Sequence, residues 1–185
     1  MPVPQAEWLP RATKSAVIVP VPETDDLLAR HHRALSAKPT AGVPAHVTVL
    51  YPFVPPSRIS AGTLDDIAAA LAGMRAFDCE FSQVKWFDEE VVWLEPQPDR
   101  HFRALTEAMC KRFPAHLPYA GEHPDTVPHL TVIDSRTGDP ESKRKAAADI
   151  SAVLPVRARI DRVRLVAGDD QHGPWRTITE FTLPA

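Results

Sequence analysis

Two cysteines in 185 residues are too few for a disulfide framework, and Cys79 and Cys110 lack metal-type or redox-type spacing. Each falls in an expected strand or helix, so buried free thiols are the reading. No uninterrupted apolar stretch approaches a membrane span, and the segment from Met1 to Lys14 has no hydrophobic signal core. The expected compartment is the cytoplasm. Charge of one sign is missing too: 21 Lys and Arg against 24 Asp and Glu leave a net −3. That balance argues against a broad footprint on long nucleic acid, whereas a small anion or an RNA end needs only a local positive pocket. With 44% hydrophobic and 24% charged residues, the composition is that of an ordinary soluble globular protein of one domain or two packed lobes.

Proline, by contrast, is plentiful. The 20 prolines fall mostly between periodic segments, and because the ring removes a backbone donor they mark element boundaries. Between them the pattern predicts a strand at Ala16–Val19, a helix from Asp25 to about Ala37, a strand from His46 to Tyr51 and a helix over Ser60–Met74. Phe77–Phe87 and Val91–Glu95 read as a hairpin around Asp88-Glu89-Glu90, a turn without the usual glycine. A third helix is expected over Arg100–Phe113 and a fourth over Glu141–Val153. Two strands close the chain, Val156–Ala167 and Trp175–Leu183.

A short pattern occurs twice: Val43-Pro44-Ala45-His46-Val47-Thr48-Val49-Leu50 and Val127-Pro128-His129-Leu130-Thr131-Val132. On a strand, His and Thr two positions apart share a face while the apolar residues between them face a core. Two such strands offer two imidazoles and two hydroxyls to one cleft, enough for acid–base chemistry on a phosphate. The halves share one order: strand, helix, His-x-Thr strand, helix, strand. Their histidines lie about eighty positions apart, close to the offset between Val17 and Val91, which points to an internal duplication of roughly 14–87 and 91–185 within one domain, 1–185.

These residues resemble the two-histidine phosphoesterases, in particular their bacterial 2′-5′ RNA ligase-like and cyclic phosphodiesterase branch; Gly42 to Phe53 looks especially like one branch of that family. The resemblance implies an α+β, bilobal fold with two antiparallel sheets forming a V-shaped cleft and helices packed outside. It also implies hydrolysis of a cyclic phosphodiester such as a 2′,3′-cyclic phosphate to a 2′-phosphate, or 2′-5′ ligation, without metal or other cofactor. The expected ligand is a small cyclic nucleotide or RNA terminus, with no membrane or obligate protein partner, on a monomer. By family analogy His46 is the acid on the leaving oxygen and His129 the base on water. Thr48 and Thr131 suit donation to the nonbridging oxygens.

Tyr51 and Phe53 follow the first motif and are candidate base or ribose contacts. His172 and Trp175 flank the last turn and are candidates to close over a ligand, though a hairpin end explains them as well. Arg30, Arg33 and Lys143-Arg144-Lys145 read as solvated helix faces, and the adjacent His31 and His32 make poor partners for one metal. Arg157, Arg159, Arg162 and Arg164 change parity between 159 and 162, so on one regular strand both pairs cannot share a face. Glu122, His123 and Asp125 precede the second motif as candidate gating residues. Two other functions compete: a noncatalytic RNA- or nucleotide-binding module using the same cleft, and a metal hydrolase, for which no ligand spacing includes His46 or His129.

Overall fold

The structure, a computed structural model, describes residues 9–34, 42–122, 126–134, 138–169 and 173–185. The elements run β1 (Lys14–Pro20), α1 (Asp25–Ala34), β2 (His46–Leu50), α2 (Ala61–Leu71), β3 (Phe77–Phe87) and β4 (Val91–Gln97). They continue with α3 (Arg100–Arg112), β5 (Leu130–Ile133), α4 (Pro140–Ser151), β6 (Val156–Ile160), β7 (Arg162–Asp169) and β8 (Gly173–Thr182). The expected end of the first helix at Ala37 lies outside the described residues.

Local chemistry accounts for the helix boundaries. Ser60 accepts from the Thr63 amide while the Thr63 hydroxyl accepts from the Ser60 amide, a reciprocal cap that starts α2. Asp139 accepts from the amides of Glu141 and Ser142, with Pro140 in the first turn, and starts α4. The β3–β4 turn needs no glycine because Asp88 itself takes the left-handed conformation, φ 49°.

One expectation changes. Instead of two sheets, the strands form a single antiparallel sheet in the order β6-β3-β4-β5-β2-β1-β7-β8. Its two four-stranded halves meet through one registered pair, Val47 opposite Leu130. Such continuity rests on one long-range contact, which no local pattern encodes. Each half of the sheet mixes the two halves of the sequence: β3 lies with β4, β5 and β6, while β7 and β8 lie with β1 and β2.

The strand expected over Val156–Ala167 is two strands, with Asp161 between them. That residue forces the shape. Six interstrand steps separate β6 from β7, about 29 Å in a flat sheet. Two Cα steps reach at most about 7 Å, so the sheet must curl into a half-barrel. Leu183 donates to the Asp161 carbonyl and Ala76 to that of Pro184, closing the base of the curl.

Alternation then divides the sheet into two faces. Val17, Val19, Val47, Val49, Phe81, Leu94, Leu130, Val163 and Leu165 join Leu64, Ile67, Phe102, Leu105 and Ile150 of the helices in the main core. The opposite face carries both motifs. Cys79 is buried and Cys110 half-buried, both as free thiols. Burial, with the charges of Glu23 and Asp78, pushes the Cys79 thiol up to about 12, so it stays protonated and unreactive. Among the described residues no helix is long and apolar enough to cross a membrane.

Leu130 is fully buried at the joining pair. Leu130→Ala is expected to cost about 2–5 kcal/mol, read as a lowered urea midpoint with an unchanged slope.

Candidate active site

The joining pair sets the site. Because β2 and β5 are antiparallel and Val47 faces Leu130, continuing the register puts His46 across from Thr131 and Thr48 across from His129. Since Val47 and Leu130 point into the core, all four motif side chains stand on the other face. His46 and His129 are then diagonal neighbours, about 7–8 Å apart in ideal geometry. After burial, the charge of His129 is a further influence that depresses the pKa of His46, in keeping with their closeness.

Both rings are held the same way. Nδ1 of His46 lies 2.8 Å from the Pro44 carbonyl, and Nδ1 of His129 lies 2.8 Å from the Val127 carbonyl. A carbonyl can only accept, so each Nδ1 carries its proton and each Nε2 of the neutral ring presents a lone pair. Burial lowers both imidazole pKa values; the carbonyl bonds oppose that shift without cancelling it.

The two histidines have different flanks. Beside His46 and Thr48 a cavity of about 180 Å³ is lined by Ala16, Ile18, Val43, Tyr51, Val166 and Trp175. Its wall is apolar, and the Tyr51 and Trp175 rings sit 6.3 Å apart. The Lys14 ammonium lies 5.9 Å from the Tyr51 ring. Gly168 is required here, because a Cβ would fall 2.5 Å from the Trp175 ring. Around His129, Phe87 and Trp93 make edge contacts at 4.9 and 5.9 Å, and these two rings stack on each other at 4.7 Å. Lys85, paired with Glu95 at 2.6 Å, reaches over Trp93.

The motif spacing did not reveal Tyr119. Its ring lies 6.4 Å from the His129 ring, nearly parallel, and burial raises its pKa, a shift that the neighbouring Thr48 side chain opposes. Its amide donates to the Tyr51 carbonyl at 2.6 Å. Tyr119 and Ala120 are both left-handed, φ 51° and 56°, ahead of Gly121 at 84°. Non-glycine residues there cost on the order of 1–3 kcal/mol each. The available signal was scarcity: Tyr51 and Tyr119 are the only tyrosines in the chain, and both stand at the cleft.

The structure distributes the remaining candidates. Thr48 is half-buried beside Ile18 and Thr131 is exposed beside Trp93. Phe53 is corrected: it is 4% exposed, belongs to the main core and packs on Phe113 and His116, because the chain leaves the strand at Leu50 and parity no longer carries it to the cleft. Lys143 is corrected as well. It is buried and donates to the Glu90 carbonyl, tying α4 to the β3–β4 turn. The arginines occupy separate strands, so the parity conflict disappears. Arg157 and Arg159 pair with Glu80 and Asp78 at one wing of the sheet, and Arg162 and Arg164 pair with Glu180 at the other. Both pairs lie on the cleft face, opposite Ala158, Ile160, Val163 and Leu165. Arg30 and Glu122 are exposed; His123, Asp125 and His172 lie outside the described residues. Among the described residues no group of three or more His, Cys, Asp or Glu is placed to hold a metal ion.

A curled antiparallel sheet with paired His-x-Thr strands at its seam is a phosphoesterase framework. The model of the 2′-5′ RNA ligase superfamily matches residues 20–172, and the chain belongs to that superfamily, the two-histidine phosphoesterases. Among solved structures, E. coli LigT in its apo form is similar at 20% identity and TM-score 0.58, covering 94% of this chain and 99% of that one. A protein described as a phosphoesterase is similar at 18% and 0.58, with the same coverage. TT0787 of Thermus thermophilus is similar at 17% and 0.55, covering 92% and 97%. LigT has also been solved with 3′-AMP and with NADP+. At these identities the likeness establishes the fold. No curated protein matches.

The histidine geometry yields two measurable outcomes. Nitrogen-correlated NMR is expected to show both neutral rings as the Nδ1–H tautomer, titrating below the usual 6.5. Since folding lowers these pKa values, the unfolded chain binds protons more readily below that point. Their stability contribution is therefore complete above pH 6.5 and lost as pH falls. Urea midpoints at about pH 7.5 and 5.5, either side of the ordinary histidine value, should differ less in a His46→Ala, His129→Ala double variant.

Proposed function

We propose that this chain opens a 2′,3′-cyclic phosphate, or a similar cyclic phosphodiester, to a 2′-phosphate by two-histidine acid–base catalysis that calls on no metal or nucleotide cofactor. The observation that carries the reading is the pair of matched Nδ1–carbonyl bonds, which leave two Nε2 atoms to serve a ligand on one cleft face.

In the reaction, His129 Nε2 takes a proton from water and the water oxygen bonds to phosphorus. The bond from phosphorus to the ribose 3′ oxygen breaks, and His46, protonated at Nε2, gives its proton to that oxygen. The order of the two histidines follows the family analogy; the reverse, ligating direction exchanges them. One imidazole must be neutral and the other charged, a state histidine reaches near neutrality. The hydroxyls of Thr48 and Thr131 donate to the nonbridging oxygens as charge builds there. Tyr51 and Trp175 give the His46 side an aromatic wall suited to a base. LigT's complexes with 3′-AMP and NADP+ support a nucleotide as the ligand class. Each half of the sequence carries one His-x-Thr strand and so supplies one imidazole and one hydroxyl, as the inferred duplication requires.

A 2′,3′-cyclic mononucleotide should be hydrolysed by the wild-type chain in the presence of chelator. His46→Ala and His129→Ala should each lower kcat by about 10²–10⁴. The kcat/KM profile should be bell-shaped with its maximum below pH 6.5, because both imidazoles are depressed and the acid loses its proton early. Nucleotide binding without any product would identify a binding module instead, and activity restored by zinc after chelation a metal hydrolase.

A further inference from the structure

The cleft face changes character along β7. Its cleft-side residues run Arg162, Arg164, Val166, Gly168, so charge gives way to apolar character halfway along the strand. On β1, Ala16 and Ile18 lie across from Val166 and Arg164, and Ile18 also lies across from Thr48. Ala16, Ile18, Val166 and Trp175 form a buried cluster of their own, apart from the main core, with Val43 and Tyr51 packed against it. Two close approaches fix Trp175. A Cβ at Gly168 would lie 2.5 Å from its ring, and one at Gly42, where φ is 90°, would lie 2.0 Å from its carbonyl oxygen. The recess of about 180 Å³ beside His46 and Thr48 is lined by this cluster. An apolar recess that opens beside a few convergent polar groups is the form of a small-molecule site.

We propose that this recess holds the base of the substrate nucleotide by stacking and shape alone, so that turnover requires a base but does not choose among bases. The proposal rests on the cleft being the phosphate site described above. Tyr51 is half-buried and Trp175 buried, and their planes are tilted by 56°, so the two rings do not stack on each other. Tyr51 offers the aromatic face and Trp175 the end wall. Every base has a π-face, which makes such contacts tolerant of sequence. Telling bases apart takes donors and acceptors set against base edges, which Asn, Gln, Asp, Glu, Lys and Arg side chains commonly supply. Among the described residues none of these lines the recess. Beyond His46 and Thr48, its polar side-chain atoms are the Tyr51 phenol and the Trp175 indole. In an in-line opening the base lies on the side of the leaving oxygen, and the recess borders His46, the acid assigned to that oxygen.

The test compares the 2′,3′-cyclic mononucleotides of adenine, guanine, cytosine and uracil with glycerol 1,2-cyclic phosphate, which has the reacting ring and no base. On the full chain kcat/KM should vary less than about tenfold among the nucleotides and exceed that of the base-free compound at least about fivefold. Tyr51→Leu keeps apolar bulk and removes the aromatic face. It should raise KM for every nucleotide about five- to twentyfold, with kcat and the pH profile little changed, and leave the base-free compound as it was. A wider preference for one base, a smaller advantage over the base-free compound, an unchanged KM, or an equal loss on the base-free compound overturns the proposal. A second arm needs no turnover: 2′-AMP and 2′-UMP should each shift the Trp175 indole resonance, and glycerol 2-phosphate should not. Absence of hydrolysis of any cyclic compound rejects the proposed reaction, and this titration still decides the recess, since no shift with either nucleotide overturns it. Should Tyr51→Leu not fold, the wild-type comparison and the titration decide alone.

Discussion

One backbone pairing, Val47 against Leu130, holds the two halves of the sheet in register, and the geometry of the cleft follows from it. Side chains alternate along a strand, so a slip of one residue would send one His-x-Thr pair into the core and bring Leu or Val to the cleft. Both partners are fully buried, which makes such a slip expensive: apolar side chains would move into water and imidazoles out of it. The core thus enforces the register, and the register enforces the chemistry.

Within that frame the two histidines are alike in their hydrogen bonding and unlike in their surroundings. Each ring donates from Nδ1 to a carbonyl two residues earlier, and a proline accompanies each turn, supplying the acceptor itself at Pro44 and following it at Val127. A short, locally determined bond fixes tautomer and tilt without help from a distant carboxylate. Around the rings, symmetry ends. His46 borders an apolar cavity walled by Trp175, whereas His129 stands among Phe87, Trp93 and Tyr119. The shared feature suits the reacting phosphorus; the differences suit two unlike ends of a ligand.

Much of this was legible in the residues alone. Strand alternation located His46, Thr48, His129 and Thr131 on one face, and the prolines marked many of the element boundaries. What escaped depended on contacts between residues far apart. Whether two sheets are one is decided by a single bridge. Tyr119 enters the site through an unusual backbone that neither periodicity nor composition announces. Phe53 sits beyond the end of β2, where alternation ceases to be a guide. The arginine puzzle came from treating Val156–Ala167 as one strand; a single residue, Asp161, carries the chain between opposite wings.

That same residue has a mechanical meaning. Two lobes joined by a long linker can open and close like a jaw, but here the wings are sewn together at their base by one peptide unit on each side of Asp161, with Leu183 pinned to its carbonyl. The wings that flank the motifs are therefore tethered at their base by a single residue, which limits how far they can spread around a ligand.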